Sequence, residues 1–346
     1  MRKHEKYMQR CIQLAEMGAG NVAPNPMVGC VIVYEGEIIG EGFHQKYGGS
    51  HAEVNAIESV PASLQHLLPL ATLYVSLEPC AHFGKTPPCT RLIISKKIPR
   101  VVIGCRDPFK QVNGSGIQHL KEAGIEVIEP VLEKACIFLN RRFFCFHQKQ
   151  RPYVILKWAE SEDGYISKRG VQTKISGDIA QRLLHCWRSE EAAIMVGTNT
   201  VRTDNPELTV RHWKGNNPVR VFIDKNLDIP SSAHIMNTQV NTIIFNRKIQ
   251  KEEANLRFVK TDLEGEELIL FMLFTLYQYE LISVLVEGGA ILINHFIKTG
   301  CFDEVRRIVS PGSIGDGIAA PVINLVPGLV ESAGSDRIYF YQHQGG

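Results

Sequence analysis

The chain has 346 residues, more than one hydrophobic core usually organises, so two domains are expected. Hydrophobic residues make up 44% and charged residues 21%, an ordinary globular composition, and the formal net charge of +2 gives no electrostatic case for a nucleic-acid partner. No apolar stretch approaches membrane-span length, and the charged start Met1-Arg2-Lys3-His4-Glu5-Lys6 leads into an amphipathic pattern rather than an apolar signal segment. Nine irregularly spaced cysteines do not form a disulfide framework. A cytoplasmic protein with no membrane partner is expected.

Apolar side chains at Tyr7, Met8, Cys11, Ile12, Leu14 and Ala15 predict a helix over 4–18, stopped by Gly18 and Gly20. Met27–Val33 and Glu37–Phe43 read as two strands of a hairpin, and a helix is expected to start near His51. Leu73–Leu77 reads as a strand with Cys80 just past its end. Pro87-Pro88 suits the first turn of a helix, which Cys89 opens and Ile94 closes. Val101–Gly104, Gly116–Ala123, Ile125–Ile128 and Leu132–Phe144 continue as strand, helix, strand, helix, an order that predicts a layered α/β sheet.

The polar stretch Gln148-Lys149-Gln150-Arg151-Pro152 marks the expected boundary, between a domain at 1–147 and another at 152–346. Beyond it, Tyr153–Trp158, Ala192–Gly197, Val219–Asp224, Thr242–Phe245 and Ser283–Val286 read as strands. Asp178–Trp187, Glu266–Tyr279 and a segment from Ala290 read as helices, so this half is α/β as well.

Chemistry concentrates in His51-Ala52-Glu53, Pro79-Cys80 and Cys89. One imidazole and two thiolates leave the fourth position of a catalytic zinc open for a water whose pKa falls to about 7. The signature H-x-E…P-C-x-x-C belongs to zinc-dependent base deaminases, with the Glu as proton carrier and not as ligand; here the second half is stretched to P-C-x8-C. His51 and Glu53 from one helix start, Cys80 from a strand end and Cys89 from a second helix start place the thiols near partial positive charge, which favours thiolate. His82 is the candidate that would close the site into a structural one, leaving Glu53 without a role.

Asn25-Pro26-Met27-Val28-Gly29, His51–Ala56, Leu77–Cys89 and Asp107-Pro108 together resemble the bifunctional riboflavin-biosynthesis deaminase–reductase family, over nearly the whole chain. The resemblance implies a cytidine-deaminase-like three-layer domain followed by a dihydrofolate-reductase-like α/β domain. It implies zinc-dependent deamination of a diaminopyrimidinone bearing a ribosylamino 5′-phosphate, then reduction of the ribosyl group to ribityl by NADPH. His51, Cys80 and Cys89 would then hold zinc and Glu53 would carry the proton. Asn25, His44, His82, Lys85 and Asp107 would contact the deaminase substrate. Lys85 is a point charge suited to phosphate.

In the second half, strand Ser283–Val286 runs into Glu287-Gly288-Gly289 and a helix, where bare backbone N–H groups can approach a dinucleotide phosphate. The family likeness gives Gly288 and Gly289 to the cofactor and Glu287 to the substrate ribose. It gives Thr200 and Asp204 to NADPH, and Arg188, Leu208 and Arg211 to the reductase substrate, the guanidinium forks suiting phosphate. Lys174 stands where many relatives carry Trp, and two readings stay open, a cation for the extra phosphate of NADPH or a solvated lysine; Phe109 and Pro311–Gly315 also depart from the pattern. No general acid for the reduction is evident. The expected partner is a small pyrimidine ribosyl phosphate, with a homo-oligomer expected. Three rival readings stay open: a nucleic-acid base deaminase, a deaminase whose reductase half is silent, and a non-catalytic zinc and nucleotide-binding module.

Overall fold

Residues 2–81, 87–109, 113–171 and 173–343 are described by the computed structural model, and the chain divides into two units, Met1–Lys149 and Gln150–Gly346. The first runs α1 (Arg2–Glu16), β1 (Gly29–Tyr34), β2 (Glu37–Phe43), α2 (Ala52–Ser59), β3 (Thr72–Leu77), α3 (Cys89–Ser95), β4 (Arg100–Cys105), α4 (Ser115–Glu122), β5 (Glu126–Ile128), α5 (Glu133–Leu139) and α6 (Arg141–Lys149). Its sheet has the order β2-β1-β3-β4-β5; β1 is antiparallel to β2 and β3, while β3, β4 and β5 are parallel.

Period-2 alternation sorts the strand side chains into two cores. Cys30, Ile32, Leu73, Val75, Val101 and Ile103 pack with Ala56, Ile93 and Leu120 of α2, α3 and α4. Val31, Val33, Tyr74 and Val102 pack on the other face with Met8, Cys136 and Phe143 of α1, α5 and α6. Helices on both faces make the expected three layers. Gly29 is required by this packing, since a Cβ there would lie 2.0 Å from the Cys11 carbonyl oxygen of α1.

One helix expected over Leu132–Phe144 is two. The break falls at Asn140, whose side-chain oxygen accepts the Met27 N–H at 2.8 Å and whose amide donates to the Met27 carbonyl at 2.8 Å. Serving both backbone groups of Met27 holds the residues that lead into β1. An apolar pattern carries no trace of such a tie.

The second unit runs β6 (Tyr153–Ser161), β7 (Tyr165–Ser167), α7 (Asp178–Glu190), β8 (Ala193–Val196), α8 (Thr198–Asp204), β9 (Val219–Ile223), β10 (Thr242–Asn246), β11 (Lys251–Glu253), β12 (Leu256–Lys260), α9 (Gly265–Gln278), β13 (Ser283–Glu287), α10 (Ala290–Thr299), β14 (Glu304–Ser310), β15 (Ile318–Ala319), β16 (Leu329–Ala333) and β17 (Asp336–Gln342). The order of its large sheet is β11-β12-β10-β9-β8-β13-β6-β14-β17-β16 among the described residues. The strands from β12 to β14 are parallel, and β11, β17 and β16 run antiparallel to their neighbours. Sequence periodicity did not show β12, β14, β16 or β17. They carry Arg257, Lys260, Arg306, Arg307, Glu331 and Arg337, which blur the apolar signal.

α9 and α10 cover one face through Met272, Leu276, Ile293 and Phe296, packed on Val154, Leu156, Met195 and Val286. Ile194, Val196, Phe222 and Ile244 turn to the other face and pack on Val201 of α8. The chain steps from β8 outward to β12 and then returns through α9 to insert β13 between β8 and β6. Ligands of open parallel sheets bind at the carboxyl ends of strands where the winding direction changes, and here that place is the end of β8, β13 and β6. The departing segment after β14 is closed locally. Asp163 accepts hydrogen bonds from Ser161, Ser313, Ile314 N–H and Gly315 N–H, which together hold its carboxyl well below the usual range.

Candidate active sites

His51 is the residue before α2, Cys80 lies three residues past β3, and Cys89 is the first residue of α3. His51 Nδ1 lies 3.6 Å from Cys80 Sγ and 3.3 Å from Cys89 Sγ, and the three donor atoms lie within 4.8 Å of one another. A tetrahedral zinc with ordinary bond lengths would hold an imidazole nitrogen and a sulfur about 3.6 Å apart. The donor set therefore fits that ion. Glu53, the second residue of α2, is buried, and burial pushes its carboxyl up to about 7. A carboxyl balanced near neutrality can take a proton and give it back.

Only one thiol is ionised in advance, which corrects the expectation that helix starts prepare both. Cys80 is held down to about 4, first by a hydrogen bond from Cys89, with further help from His51 and the Cys89 N–H at 3.3 Å. Cys89 is pushed up by that same bond and by burial. Two adjacent thiolates repel, so without a cation the second stays protonated.

Asn25 and His44 meet beside the ligands. Asn25 Nδ2 lies 3.1 Å from His44 Nε2, and His44 Nδ1 lies 2.9 Å from the Ser50 carbonyl oxygen. A carbonyl only accepts, so Nδ1 carries the proton and Nε2 accepts from Asn25. The His44 ring stands edge-on to His51 at 5.7 Å, and burial lowers its pKa, which keeps it neutral. Asn55 Nδ2 donates to the Phe43 carbonyl at 2.7 Å and so fixes the strand end that leads into His44.

His82 and Lys85 lie outside the described residues. Asp107, just past β4, accepts the Phe109 N–H at 2.8 Å. Behind it stands Glu78, which sequence reasoning did not single out. Its buried carboxylate accepts N–H groups from Gly116 at 2.9 Å, Gly114 at 3.0 Å, and Asp107 and Ile117 at 3.3 Å. One side chain thereby ties Asp107 to Gly114 and the start of α4. The signal was its position, an acid directly before Pro79-Cys80.

In the second unit, Lys174, Arg188, Thr200, Asp204, Leu208 and Arg211, together with Glu287, Gly288 and Gly289, all line one cavity of about 1070 Å³. That volume is at the upper end for a small-molecule site and has room for a cofactor beside a substrate. Thr200 Oγ1 accepts the Gly289 N–H at 3.2 Å, joining α8 to the start of α10. A Cβ on Gly288 or Gly289 would meet protein atoms only at 3.6 Å or beyond, so packing within the protein does not demand glycine there. The bare backbone faces the cavity. Asp204 is half-buried, has no ion-pair partner among the described residues, and is raised by desolvation. Lys174 instead pairs with Asp178 at 2.7 Å on the exposed rim.

Two expected contacts change character. The Arg188 fork is already filled: Nε and Nη2 donate to the two Glu287 carboxylate oxygens at 2.7 and 2.9 Å, and Nη1 donates to the Thr209 carbonyl. Arg188 therefore organises Glu287, with one N–H left on each of Nη1 and Nη2. Leu208 is buried against Val196, Val201 and Phe222 with a left-handed φ of 55°, a costly backbone state for a branched residue. Arg211 pairs with Glu207 at 2.6 Å on an exposed surface that water and ligands can reach.

Lys157 is the residue the sequence concealed. It is buried in β6, lines the cavity, and is paired in register with Glu287 of β13. Burial lowers its pKa, Glu287 opposing and Arg188 assisting. The available signal was a lone lysine inside the apolar run Tyr153–Trp158.

Residues 1–105 match the model of the cytidine and deoxycytidylate deaminase zinc-binding region, and residues 152–329 match the RibD C-terminal domain. The riboflavin biosynthesis protein RibD of Aquifex aeolicus is 35% identical, covering 98% of this chain and 98% of its own length. The chain belongs to the RibD family of riboflavin biosynthesis. Its Escherichia coli member is 32% identical over 97% of this chain and 95% of its own. A solved RibD-type structure from Thermotoga maritima, described as a diaminohydroxyphosphoribosylaminopyrimidine deaminase/5-amino-6-(5-phosphoribosylamino)uracil reductase, superposes with a TM-score of 0.91 at 36% identity and 99% coverage of both chains. Acinetobacter baumannii RibD gives 0.90 at 32% identity, again with 99% of both chains covered. The RibD likeness thus spans both units, and with it come the deaminase-like and dihydrofolate-reductase-like folds that the resemblance implied.

Proposed function

We propose that the first unit deaminates 2,5-diamino-6-(5-phosphoribosylamino)pyrimidin-4(3H)-one and that the second reduces the ribosyl group of the resulting aminouracil with NADPH, through the residues assembled above. The carrying observation is the convergence of His51 Nδ1, Cys80 Sγ and Cys89 Sγ beside buried Glu53. Zinc held there would lower the pKa of a water at neutral pH. Glu53 takes a proton from the attacking water and delivers it to the departing amine. Asn25 and His44 form a neutral polar pair that can fix the edge of a pyrimidine, and Asp107 completes that side. His82 and Lys85 keep their proposed substrate contacts by family likeness alone.

In the second unit, NADPH would supply a hydride to the ribosyl C1′ while the bond from C1′ to the ring oxygen breaks and that oxygen gains a proton. Lys157 is the donor of that proton, with Glu287 keeping its ammonium charged and Arg188 holding Glu287. Thr200, Asp204, Gly288 and Gly289 hold the cofactor, with Lys174 at the rim; Arg211 and Leu208 meet the substrate. An assembled cavity favours an active reductase over a silent one, and a matched second unit leaves a nucleic-acid base deaminase without support.

We keep the cytoplasm as the proposed location; among the described residues no helix is long and apolar enough to cross a membrane, and none of the nine cysteines forms a disulfide. Exposed Leu329 and Val330 on the edge strand β16, with exposed Val322 and Val326 in the segment before it, support a homo-oligomer, which sedimentation would test. The deaminase assignment is tested by Glu53→Gln. Retained zinc with ammonia release lowered at least about a hundredfold is expected; full turnover would remove Glu53 from the chemistry.

A further inference from the structure

Helix α7 grips the segment that carries Leu208 and Arg211 by its backbone, at two points one turn apart. Arg188 Nη1 donates to the Thr209 carbonyl at 3.3 Å, and the Arg211 N–H donates to His185 Nδ1 at 3.1 Å. Residues three apart share a face of a helix, and a carbonyl and the N–H two residues on turn to the same side of an extended chain. Positions 185 and 188 therefore meet 209 and 211 much as a neighbouring strand would. Between them, the Val210 N–H donates to Asn217 Oδ1 at 2.8 Å.

His185 is 3% exposed, lines the cavity, and stands edge-on to His212 with ring centroids 4.8 Å apart. Its Nδ1 accepts, so the ring proton is on Nε2 and the imidazole is uncharged. Burial, then the charges of Arg188, His212 and Arg211, press its pKa down to about 4 against the opposing pull of Glu287. Protonation would turn the acceptor into a donor and break the tie. His185 thus does for the backbone of Arg211 what Arg188 does for Thr209 and Glu287.

We infer that His185 is a positioning residue for the reduction: by accepting the Arg211 N–H it fixes the backbone from which Arg211 reaches the substrate. This rests on the proposed role of Arg211 in the reductase site. His185 itself performs no proton transfer.

The test compares His185→Asn, His185→Gln and His185→Leu in the full chain. Asn places an oxygen near the Nδ1 position and can accept the Arg211 N–H, Gln places its polar end near Nε2, and Leu keeps bulk alone. Leu and Gln should raise KM for the aminouracil ribosyl phosphate about tenfold, the loss of one buried hydrogen bond. The kcat, the KM for NADPH and ammonia release should stay within about twofold, and Asn should stay near the parent enzyme. In an Arg211→Ala background, His185→Leu should add nothing further to KM, because His185 acts through Arg211.

Equal losses in Asn and Leu, additive losses with Arg211→Ala, or a matching rise in KM for NADPH would overturn the inference. So would a raised KM for Arg211→Ala together with an unchanged KM for His185→Leu. An unchanged KM for Arg211→Ala would first remove the reading of Arg211, and the inference with it. If Leu melts at a much lower temperature, Asn against Gln decides alone, since they carry the same amide and one methylene sets where it sits.

Discussion

Arg188 and Glu287 meet edge to edge, two hydrogen bonds of 2.7 and 2.9 Å joining a helix to the end of a central strand, and each is only 8% exposed. Burial alone would push the Glu287 carboxyl up, but the charge and hydrogen bonds of Arg188, with Lys157, outweigh it and hold the carboxyl below its usual range. Removing one partner leaves an uncompensated buried charge. Arg188→Met should therefore cost about 3–5 kcal/mol of stability, and Arg188→Met with Glu287→Gln clearly less. Denaturant unfolding of the three proteins checks this, and equal losses would contradict it. The sign with pH follows from the lowered carboxyl. The pair contributes fully above the ordinary carboxylate value of 4.5 and loses that contribution as pH falls through the lower folded value, a slope the double variant should lack.

Lys157 should behave as the proton donor of the reduction. Lys157→Met should slow NADPH oxidation by about a hundredfold or more while ammonia release is unchanged. A donor must carry its proton, and burial lowers this one from 10.5, so kcat for the reduction should begin to fall below pH 10.5 as pH rises. Stopped-flow pH profiles of parent and variant give the comparison. An identical alkaline limb in Lys157→Met would assign that limb to another group.

Asp204 sits at the end of α8, half-buried and without an ion-pair partner among the described residues, facing the cavity beside Asn205 and Thr200. Asp204→Ala should raise KM for NADPH about tenfold through the loss of one buried acceptor, with deamination intact. Equal loss of both activities would point to a folding defect rather than to a cofactor contact.

Glu78 and Asn140 are organisers whose removal should be felt at a distance. Glu78→Ala strands the N–H groups of Gly114, Gly116 and Ile117, at about 1–3 kcal/mol for each that stays buried and unpaired. It should loosen the loop of Asp107 and raise KM for the diaminopyrimidinone, with reduction unaffected. Hydrogen exchange at Asp107, Gly114, Gly116 and Ile117 would show the loosening, and unchanged protection there would refute it.

Those two residues also mark how far the amino-acid sequence could be read. The meeting of His51, Cys80 and Cys89 was legible because spacing, turn chemistry and helix starts agreed there, and the three layers followed from strands that alternate cleanly, such as Cys30–Val33. The cavity residues Thr200, Asp204 and Gly288 were legible through family likeness. Glu78, Asn140, Lys157 and His185 were not, because each works through a partner 26 to 113 residues away or in a facing strand. Arg188 shows the limit most plainly: its guanidinium was evident, but the carboxylate that fills its fork lies 99 residues on.

Both halves should work as enzymes acting in series. The most direct measurement gives purified protein the diaminopyrimidinone ribosyl phosphate and follows ammonia and NADPH absorbance in parallel, with and without a zinc chelator. Ammonia should appear first, one NADPH should be consumed for each ammonia, and chelation should stop both from this substrate while sparing reduction of the pre-formed aminouracil. Ammonia release with no NADPH consumed, or deamination untouched after the metal is stripped, would contradict the account.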